Sequence, residues 1–280
     1  MRLKFYFPLL SLLAWGLISC VEAQTLNQKG YDLFHPVPKQ QMREMESDRP
    51  GVTESPYSVD AGHVQYETDI FYIEHEKLEE ADQHTTIFNQ GNLKLGVARN
   101  TEIQIGLETY VSQRNKLKDG SSSKGKGVGD LTVRIKQNLG GNDGGNFAIA
   151  VIPYLKFPTA KYTGDSKYEE GIIVPIMLEL PGEWKIGSQI EADRLFNEDA
   201  HAMHTELLQS LTISHEIIKN LDGFAETNYR YDFNAQHWTN FLNASAQFKV
   251  SKDISLDAGV VYGLQSDAPK SYSVGTSLRF

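Results

Sequence analysis

The chain has 280 residues, of which 40% are hydrophobic and 22% charged, and its formal net charge at pH 7 is −9. This acidic balance disfavours a nucleic-acid partner, because phosphate backbones bind basic surfaces. Beyond the N-terminus, no apolar run approaches the roughly 20 residues that a membrane-spanning helix needs.

Residues 1–23 have the pattern of an export signal. A positively charged start and an apolar run over 5–18 precede a small-residue cleavage site that ends at Ala23. The stretch 17–20 also resembles a bacterial lipobox, so lipidation of Cys20 is an open alternative. Cys20 is the single cysteine of the chain, and cleavage after Ala23 would leave no disulfide, thiol nucleophile or cysteine-bound metal.

Residues 24–60 are polar and contain prolines, and they show no sustained period. From residue 61 to Phe280, apolar and polar side chains alternate with period two, which is typical of strands. The first such stretch places one set of side chains on a common face, namely Val64, Tyr66, Thr68, Ile70 and Tyr72. The alternation recurs in about twelve segments that are bounded by turn signals.

The connections between these segments alternate in length. The stretches 75–84, 113–127 and 158–170 read as long loops, whereas 99–100 and 181–182 read as tight turns. Long loops at one end and short turns at the other are typical of a transmembrane barrel. A soluble sandwich would also alternate, but here aromatic residues gather near the strand ends, as they do at membrane interfaces. These residues are Tyr72, Tyr110, Phe157, Trp184, Phe196, Tyr231, Phe233, Trp238, Tyr262 and Tyr272.

The predicted fold class is therefore all-β, with a closed antiparallel transmembrane β-barrel of about twelve strands over 61–280. Both termini would lie on the short-turn side, which in a bacterial outer membrane is the periplasm. The polar faces would line a lumen wider than side chains alone can fill. The candidate lumen-lining residues are Glu67, Asp69, Glu102, Glu108, Asp130, Arg134, Lys136, Lys156, Glu179, Lys185, Glu191, Asp193, Glu226, Arg230, Asp232 and Asp257.

Two interpretations of these charges stay open. They could pair across the lumen and serve only as its filling, or they could line a selective passage. Acidic residues outnumber basic ones among them, so an open pore would favour cations or neutral solutes over anions.

The segment 24–60 is a candidate plug. Pro50 and Pro56 each fix φ near −65° and bias the preceding residue away from helix, so the chain there is extended or turning. We expect it to lie in or across the periplasmic mouth, a mere leader being the alternative. The gate candidates, which could pair with lumen charges, are Asp48, Arg49 and Glu54.

Several stretches resemble one known family. They are "DRPGVTESPYSVDAGH", "GVGDLTVRIK", "IPYLKFPTAK", "LPGEWKIGSQIEAD" and "SLDAGVVYGLQSDAPKSYSVGTSLRF". Together they resemble the outer-membrane transporter family named after the MetA pathway of phenol degradation, over about Ser47–Phe280. The resemblance implies an outer-membrane β-barrel of a Gram-negative bacterium, and it implies transport loosely. It brings no catalytic residues. Phe280 is similar to the aromatic C-terminus that the outer-membrane assembly machinery recognises.

Other chemistry has weaker signals. The glycine-rich stretch 125–130 lacks the G-K-[ST] end of a phosphate loop and leads into a strand. His215 could pair with a serine such as Ser188 or Ser245 in a membrane-embedded hydrolase, but no nucleophile motif is present. A polar loop is the favoured interpretation of a stretch whose side chains could otherwise bind a divalent metal, namely Glu198, Asp199, His201, His204 and Glu206.

The basic stretch 113–127 predicts a mobile solvated loop or, alternatively, a contact with lipopolysaccharide. Outer-membrane lipids are the expected surroundings, and no cofactor motif is present. Taken together, the sequence predicts a passive channel for small solutes, of aromatic or hydrophobic character. The alternatives are a structural or surface-interaction barrel with a closed lumen, and a hydrolase.

Overall fold

The computed structural model describes residues 30–77, 81–160, 167–197, 201–266 and 268–280. The predicted signal peptide, with Cys20, lies outside the described residues, so its cleavage or lipidation stays a prediction. Within the described ranges, no helix has the length and hydropathy needed to cross a membrane.

In the described residues, thirteen antiparallel strands form one sheet. Each pairs with its neighbours in sequence, except that β5 pairs with β3, and β13 returns to pair with β1. Since β4 pairs with β3 alone in this sheet, twelve strands close the barrel. The predicted closed antiparallel barrel of about twelve strands is confirmed. The strands are β1 (Val64–Lys77), β2 (Ala81–Ala98), β3 (Thr101–Leu117), β4 (Ser122–Gly127), β5 (Leu131–Gly140), β6 (Phe147–Phe157), β7 (Glu169–Leu180), β8 (Trp184–Asn197), β9 (Ala202–Ile218), β10 (Leu221–Asp232), β11 (His237–Ser251), β12 (Ile254–Gly263) and β13 (Lys270–Arg279).

The barrel has two unlike ends. The short-turn end holds Phe280, whose N–H donates to the Val64 carbonyl, and the connections 99–100, 141–146, 181–183, 219–220 and 252–253. The opposite end, which we call the long-loop end, holds the remaining connections between strands, of which 118–121 and 233–236 are described throughout.

Polar side chains face the interior of this barrel and apolar side chains face outward. Lys94 and Lys136 are each 1% exposed and Glu102 is 0% exposed, whereas Ile190 and Leu242 on the outer face are 53% and 51% exposed. Lipid accepts the apolar outer surface, and the lumen groups satisfy one another. This inside-out pattern is that of a membrane barrel, as the alternation predicts.

The prediction that Tyr72 belongs to the outer aromatic belt is wrong. Ile70 is skipped in the registers of β1 with both β13 and β2, between Asp69 and Phe71. This irregularity reverses the alternation along β1. Tyr72 therefore borders the interior, and its hydroxyl donates to Glu74 Oε2 at 2.5 Å.

Two of the predicted long loops are largely strand. The stretch 75–84 is expected to be a loop, but β1 continues to Lys77 and β2 begins at Ala81. The stretch 113–127 is expected to be mobile, but β3 runs to Leu117 and turns back into β4. Both stretches are polar on both faces, because a strand that extends beyond the lipid needs no apolar face. The alternation that reveals strands is therefore missing there.

The turn 141–146 depends on one glycine conformation. Gly141 has a φ of +84°, and a Cβ there would collide with the Phe147 carbonyl oxygen and with Ala148. Its neighbour Gly140 has nothing within 4 Å of a Cβ.

We expect Gly141→Ala to lower the free energy of unfolding by about 1–3 kcal/mol, because alanine is strained at positive φ. The matched control Gly140→Ala should change it by less than about 1 kcal/mol. Urea unfolding of the barrel in lipid vesicles measures both variants. Equal losses in the two would contradict this account of the turn.

Candidate functional site

The structure places the charged residues predicted to line the lumen on the inward face of the wall. Glu67, Glu102, Lys136, Glu226 and Asp257 are buried. Asp130 and Asp193 are buried too. Glu191 and Asp232 contact the inward-facing Gln189 and His204. The remaining candidates border cavities inside the barrel, namely Asp69, Glu108, Arg134, Lys156, Glu179, Lys185 and Arg230. The interior is therefore a dense field of charges of both signs.

A stretch of the N-terminal region, residues 43–61, crosses this interior before it joins β1; we call it the inner segment. It starts at the short-turn end, where Arg43 lies 3.4 Å from Asp143 in the turn 141–146. Its polar contacts then reach strands around the barrel: Glu46 with Lys185 on β8, Asp48 with Lys136 on β5, Arg49 with Asp257 on β12, and Thr53 with Glu226 on β10.

The inner segment lies between two of the larger interior cavities. The cavity on the short-turn side has a volume of about 620 Å³ and borders Glu179 and Lys185. The cavity on the long-loop side has a volume of about 540 Å³ and borders Arg230. Arg49 and Gly51 border both. Because a water molecule occupies about 30 Å³ of liquid, each cavity has room for several waters or a small solute.

Asp48 is the central anion of the inner segment. Its carboxylate accepts hydrogen bonds from Lys94 Nζ and from Lys136 Nζ, the latter at 2.8 Å. Lys94 also bonds to Glu67, and Lys136 lies 3.6 Å from Glu102. Burial alone would raise the pKa of Asp48, but the ammonium groups of Lys136 and Lys94 outweigh it and hold that pKa well below its usual range. The segment is therefore held to β2 and β5 by a charged carboxylate.

Arg49 holds the next position of the segment to β12 and β1. Its Nε and Nη2 donate to the Asp257 carboxylate at 3.1 and 2.7 Å, and Nη2 lies 2.7 Å from Asp69. A Cβ on Gly275 of β13 would collide with the guanidinium, so the glycine gives it room. Such two-pronged pairing fixes the direction of the side chain as well as its place.

Wall side chains also satisfy the backbone of the segment. The N–H groups of Val52 and Thr53 donate to Glu226 at 2.9 Å, and the Thr53 hydroxyl donates to the same carboxylate at 2.6 Å. The Glu54 N–H donates to Gln189 Oε1 at 2.7 Å. An irregular chain inside a barrel has no strand ladder to use, so these contacts remove the cost of burying its N–H groups.

Glu54 is the titratable contact of the segment near neutral pH. Arg134 Nη1 donates to its carboxylate at 2.6 Å. Burial and the neighbouring Asp48 carboxylate nevertheless raise the pKa of Glu54 to about 7, against the opposing effect of Arg134. All three gate candidates, Asp48, Arg49 and Glu54, thus bond to the wall.

Sequence reasoning missed Lys94 and Gln189 as partners of the segment. Lys94 has a visible signal, since it stands on the polar face of its strand between Asn92 and Gly96. The alternation does not show, however, that Lys94 and Lys136 meet at one carboxylate. That meeting depends on the barrel register, which brings β2 and β5 to either side of β3.

The structure brings together part of the set considered for a metal. His204 Nε2 lies 3.1 Å from Glu206 Oε1 and 3.8 Å from Asp232 Oδ2. Imidazole and carboxylate ligands suit zinc or copper, and this group on β9 and β10 could hold such an ion. His201 is not part of it, and Glu198 and Asp199 lie outside the described residues.

Two of the side chains considered for a hydrolase, His215 and Ser188, have other contacts. The His215 ring stacks on Trp184, with centroids 4.3 Å apart. The Ser188 hydroxyl donates to the Ser210 carbonyl at 2.7 Å. Among the hydrogen bonds of the described residues, none joins His215 to a serine. The glycine-rich stretch 125–130 leaves β4 for β5 and meets no helix N-terminus in the described chain.

We expect Asp48→Asn to lower the free energy of unfolding by about 3–5 kcal/mol, because two buried ammonium groups would lose their shared anion. Glu44→Gln is a matched control, since Glu44 is a 70% exposed partner of Lys249 whose loss should cost about 0–1 kcal/mol. Urea unfolding in lipid vesicles measures both. Adding Lys94→Met to Asp48→Asn should restore part of the loss; strictly additive losses would contradict the coupling.

Comparisons with known proteins agree with this architecture. Among solved structures, the barrel is similar to an outer-membrane channel from Pseudomonas putida F1, with 14% sequence identity, a TM-score of 0.59, and coverage of 84% of this chain and 100% of that chain. It is also similar to the translocator domain of the autotransporter NalP from Neisseria meningitidis, with 12% identity, a TM-score of 0.50, and coverage of 78% of this chain and 88% of that chain. At these identities the likeness shows the fold of an outer-membrane barrel.

Among curated proteins, none matches the chain significantly. A family model does match, over residues 47–280, which include most of the inner segment and the whole barrel. The chain therefore belongs to the family described as "Putative MetA-pathway of phenol degradation".

Proposed function

We propose that the protein is an outer-membrane channel through which small solutes diffuse passively, and that the inner segment is its gate. The observation that carries this proposal is the division of the lumen into cavities of about 540 and 620 Å³ that share Arg49 and Gly51 as borders. Twelve strands make a barrel wider than the roughly eight strands whose side chains can fill it. Displacing one segment would therefore join the two cavities. Membership of the family and the shared fold of the Pseudomonas putida channel support the proposal.

The proposed orientation puts the short-turn end in the periplasm and the long-loop end at the cell surface. Outer-membrane barrels generally have short periplasmic turns and longer external loops. The inner segment enters from the short-turn end, so the proposed gate would be attached on the periplasmic side. A solute from outside would then fill the long-loop cavity before it meets Arg49.

The lining of the long-loop cavity supports a small solute with an apolar body and a polar group. Ile87, Val111 and Phe241 border this cavity and are nearly buried, beside charged residues such as Arg230. The Arg230 guanidinium carbon lies 5.9 Å from the centre of the Phe241 ring. A phenol-like molecule would match such a surface, because its ring can pack on apolar groups while its hydroxyl finds a charged partner. The description of the family agrees with this class of solute.

A second candidate function is a surface or structural barrel whose lumen stays closed. The observation in its favour is the number of ionic contacts that hold the inner segment, above all those of Asp48 and Arg49. A permanently closed barrel would need no release of these contacts. Conductance distinguishes the two functions.

We expect deletion of Gln24 to Asp60 to raise single-channel conductance in planar bilayers severalfold, because the two cavities would become continuous. Arg49→Gln should raise the time spent open without changing the fully open conductance, since it removes the bonds to Asp257 and Asp69. Lys39→Gln, an exposed charge outside the inner segment, is the control that should match wild type.

A deletion variant that inserts into the bilayer and conducts no better than wild type would overturn the gating role. Absence of conductance in every variant, with no solute-dependent swelling of proteoliposomes, would favour the closed barrel instead. Reversal potentials in a salt gradient should show preference for cations, because acidic groups outnumber basic ones on the inward face.

We also expect the gate to open more as pH rises from about 5 to 8. The pKa of Glu54 is about 7 in the docked segment, against 4.5 for an ordinary glutamate, so docking takes up a proton and weakens as that proton leaves. Asp48 stays ionised throughout this range. Arg134 and Lys136 act to lower the pKa of Glu54, but burial and the Asp48 carboxylate outweigh them.

Open probability in bilayers at stepped pH measures this effect. Glu54→Gln should flatten the dependence, because the variant has no proton to exchange at that position. An equally steep dependence in that variant would assign the titration to another group.

A further inference from the structure

The outer wall of the barrel has an aromatic cluster near the long-loop end of β1, β2 and β3. The ring centroids of Phe71 and Phe88 are 5.1 Å apart, and those of Phe88 and Tyr110 are 6.0 Å apart. Phe88 and Tyr110 are exposed, whereas the alternate residues Ile87 and Val111 border the interior. The cluster therefore faces the membrane, and aromatic rings in such a position mark the boundary between hydrocarbon and head groups.

Beyond this cluster, the β3–β4 hairpin carries a basic patch of four residues. The register pairs Arg114 with Lys124, Ser112 with Lys126, and Lys116 with Ser122. Alternation along β3 puts Arg114 and Lys116 on the same outward face as Tyr110, and the pairing puts Lys124 and Lys126 on that face too. The patch consists of Arg114, Lys116, Lys124 and Lys126, which are all exposed.

The basic patch begins at the height of lipid head groups and extends beyond it. At about 3.3 Å per residue, Lys126 lies roughly 7 Å beyond Tyr110 along the strand direction, and Lys116 lies roughly 20 Å beyond it. Head groups and the polar interface extend roughly 5–8 Å past the hydrocarbon on each side of a bilayer. Long basic side chains that start within or above this layer can reach down to its phosphates.

The charges of the patch are not balanced within the hairpin. Arg114 and Lys124 face each other directly, and like charges in that position destabilise a strand pair. No ion pair among the described residues involves the four basic groups. Asp82 is the acid of the same face, opposite Lys116 on the neighbouring strand. The adjoining wall adds the stacked rings of His75 and His84, with centroids 4.3 Å apart. A bound external anion would offset the free-energy cost of this arrangement.

We propose that the basic patch binds the phosphate groups of lipopolysaccharide in the outer leaflet. The inference rests on the proposed orientation, which puts the long-loop end at the cell surface. Lipopolysaccharide presents phosphates at the boundary with hydrocarbon, directly above its acyl chains. The aromatic cluster would contact those chains while the guanidinium and ammonium groups take the phosphates.

The test compares two triple variants of the full-length protein in detergent. One, Arg114→Gln with Lys124→Gln and Lys126→Gln, removes charge from the patch. The other, Lys39→Gln with Lys219→Gln and Lys252→Gln, removes the same charge from exposed positions away from the hairpin. Native mass spectrometry titrates each protein with bisphosphorylated lipid A, monophosphorylated lipid A and phosphatidylglycerol.

We expect bisphosphorylated lipid A to bind the patch variant about tenfold or more weakly than wild type, while the second triple variant binds as wild type does. In wild type, removing one lipid phosphate should weaken binding, and so should raising the salt concentration. These two arms use unmodified protein, so they hold even where the patch variant folds poorly. Equal binding by both triple variants, or equal affinity of wild type for phosphatidylglycerol, would overturn the proposal.

Labelling of intact cells separates this outcome from a failure of the orientation. Lys118→Cys in the hairpin turn should react with a membrane-impermeant maleimide added outside. Labelling without lipid A binding would contradict the lipid site and still support the proposed orientation of the channel. Lack of labelling in a folded protein would contradict the orientation and the lipid site together, while conductance would still test the channel.

Discussion

Two ammonium groups, those of Lys94 and Lys136, are almost wholly buried inside the barrel and meet at one carboxylate of the inner segment. Removing an ammonium ion from water costs several kcal/mol, so neither lysine is stable there without an anion. The wall acids Glu67 and Glu102 neutralise part of this charge, and Asp48 completes it. The charges of the wall and of the segment therefore neutralise one another. The position of Asp48 between the two lysines in turn places the rest of the segment against the wall.

This dependence explains how one segment could close a wide lumen and still be released. Its contacts are charged or polar, and on release both partners regain hydration, which offsets much of the free energy of the lost contacts. The cavities on its two sides bring solvent-sized space up to Arg49 and Gly51. The proposed gate is thus held by many contacts, and water in the two cavities can compete for them. Its strength should depend on pH and on salt, since both act on the same groups.

The sequence alone predicts the barrel well, because lipid outside and polar lumen inside impose an alternation that each strand repeats. The inward placement of Glu102 or Lys136 follows from that alternation. Prediction from the alternation fails where a strand is irregular or extends beyond the lipid. The irregularity at Ile70 turns Tyr72 inward, and the β3–β4 hairpin extends beyond the lipid and has no apolar face. The pairing of Asp48 with Lys94 and Lys136 depends on a barrel register that no local pattern records.

The pairing of β1 with β13 has a consequence for the order of assembly. Gln65 lies opposite Arg279, so the ring closes only when the two ends of the barrel sequence meet. Bringing such distant residues together has a large entropic cost. The inner segment precedes β1 directly and bonds to β12 and β13 through Arg49–Asp257 and Ser47–Ser277. Once the inner segment is bonded to β12 and β13, β1 is held next to them, in position to pair with β13. The same residues that obstruct the finished lumen would then act earlier as the clasp that closes its wall.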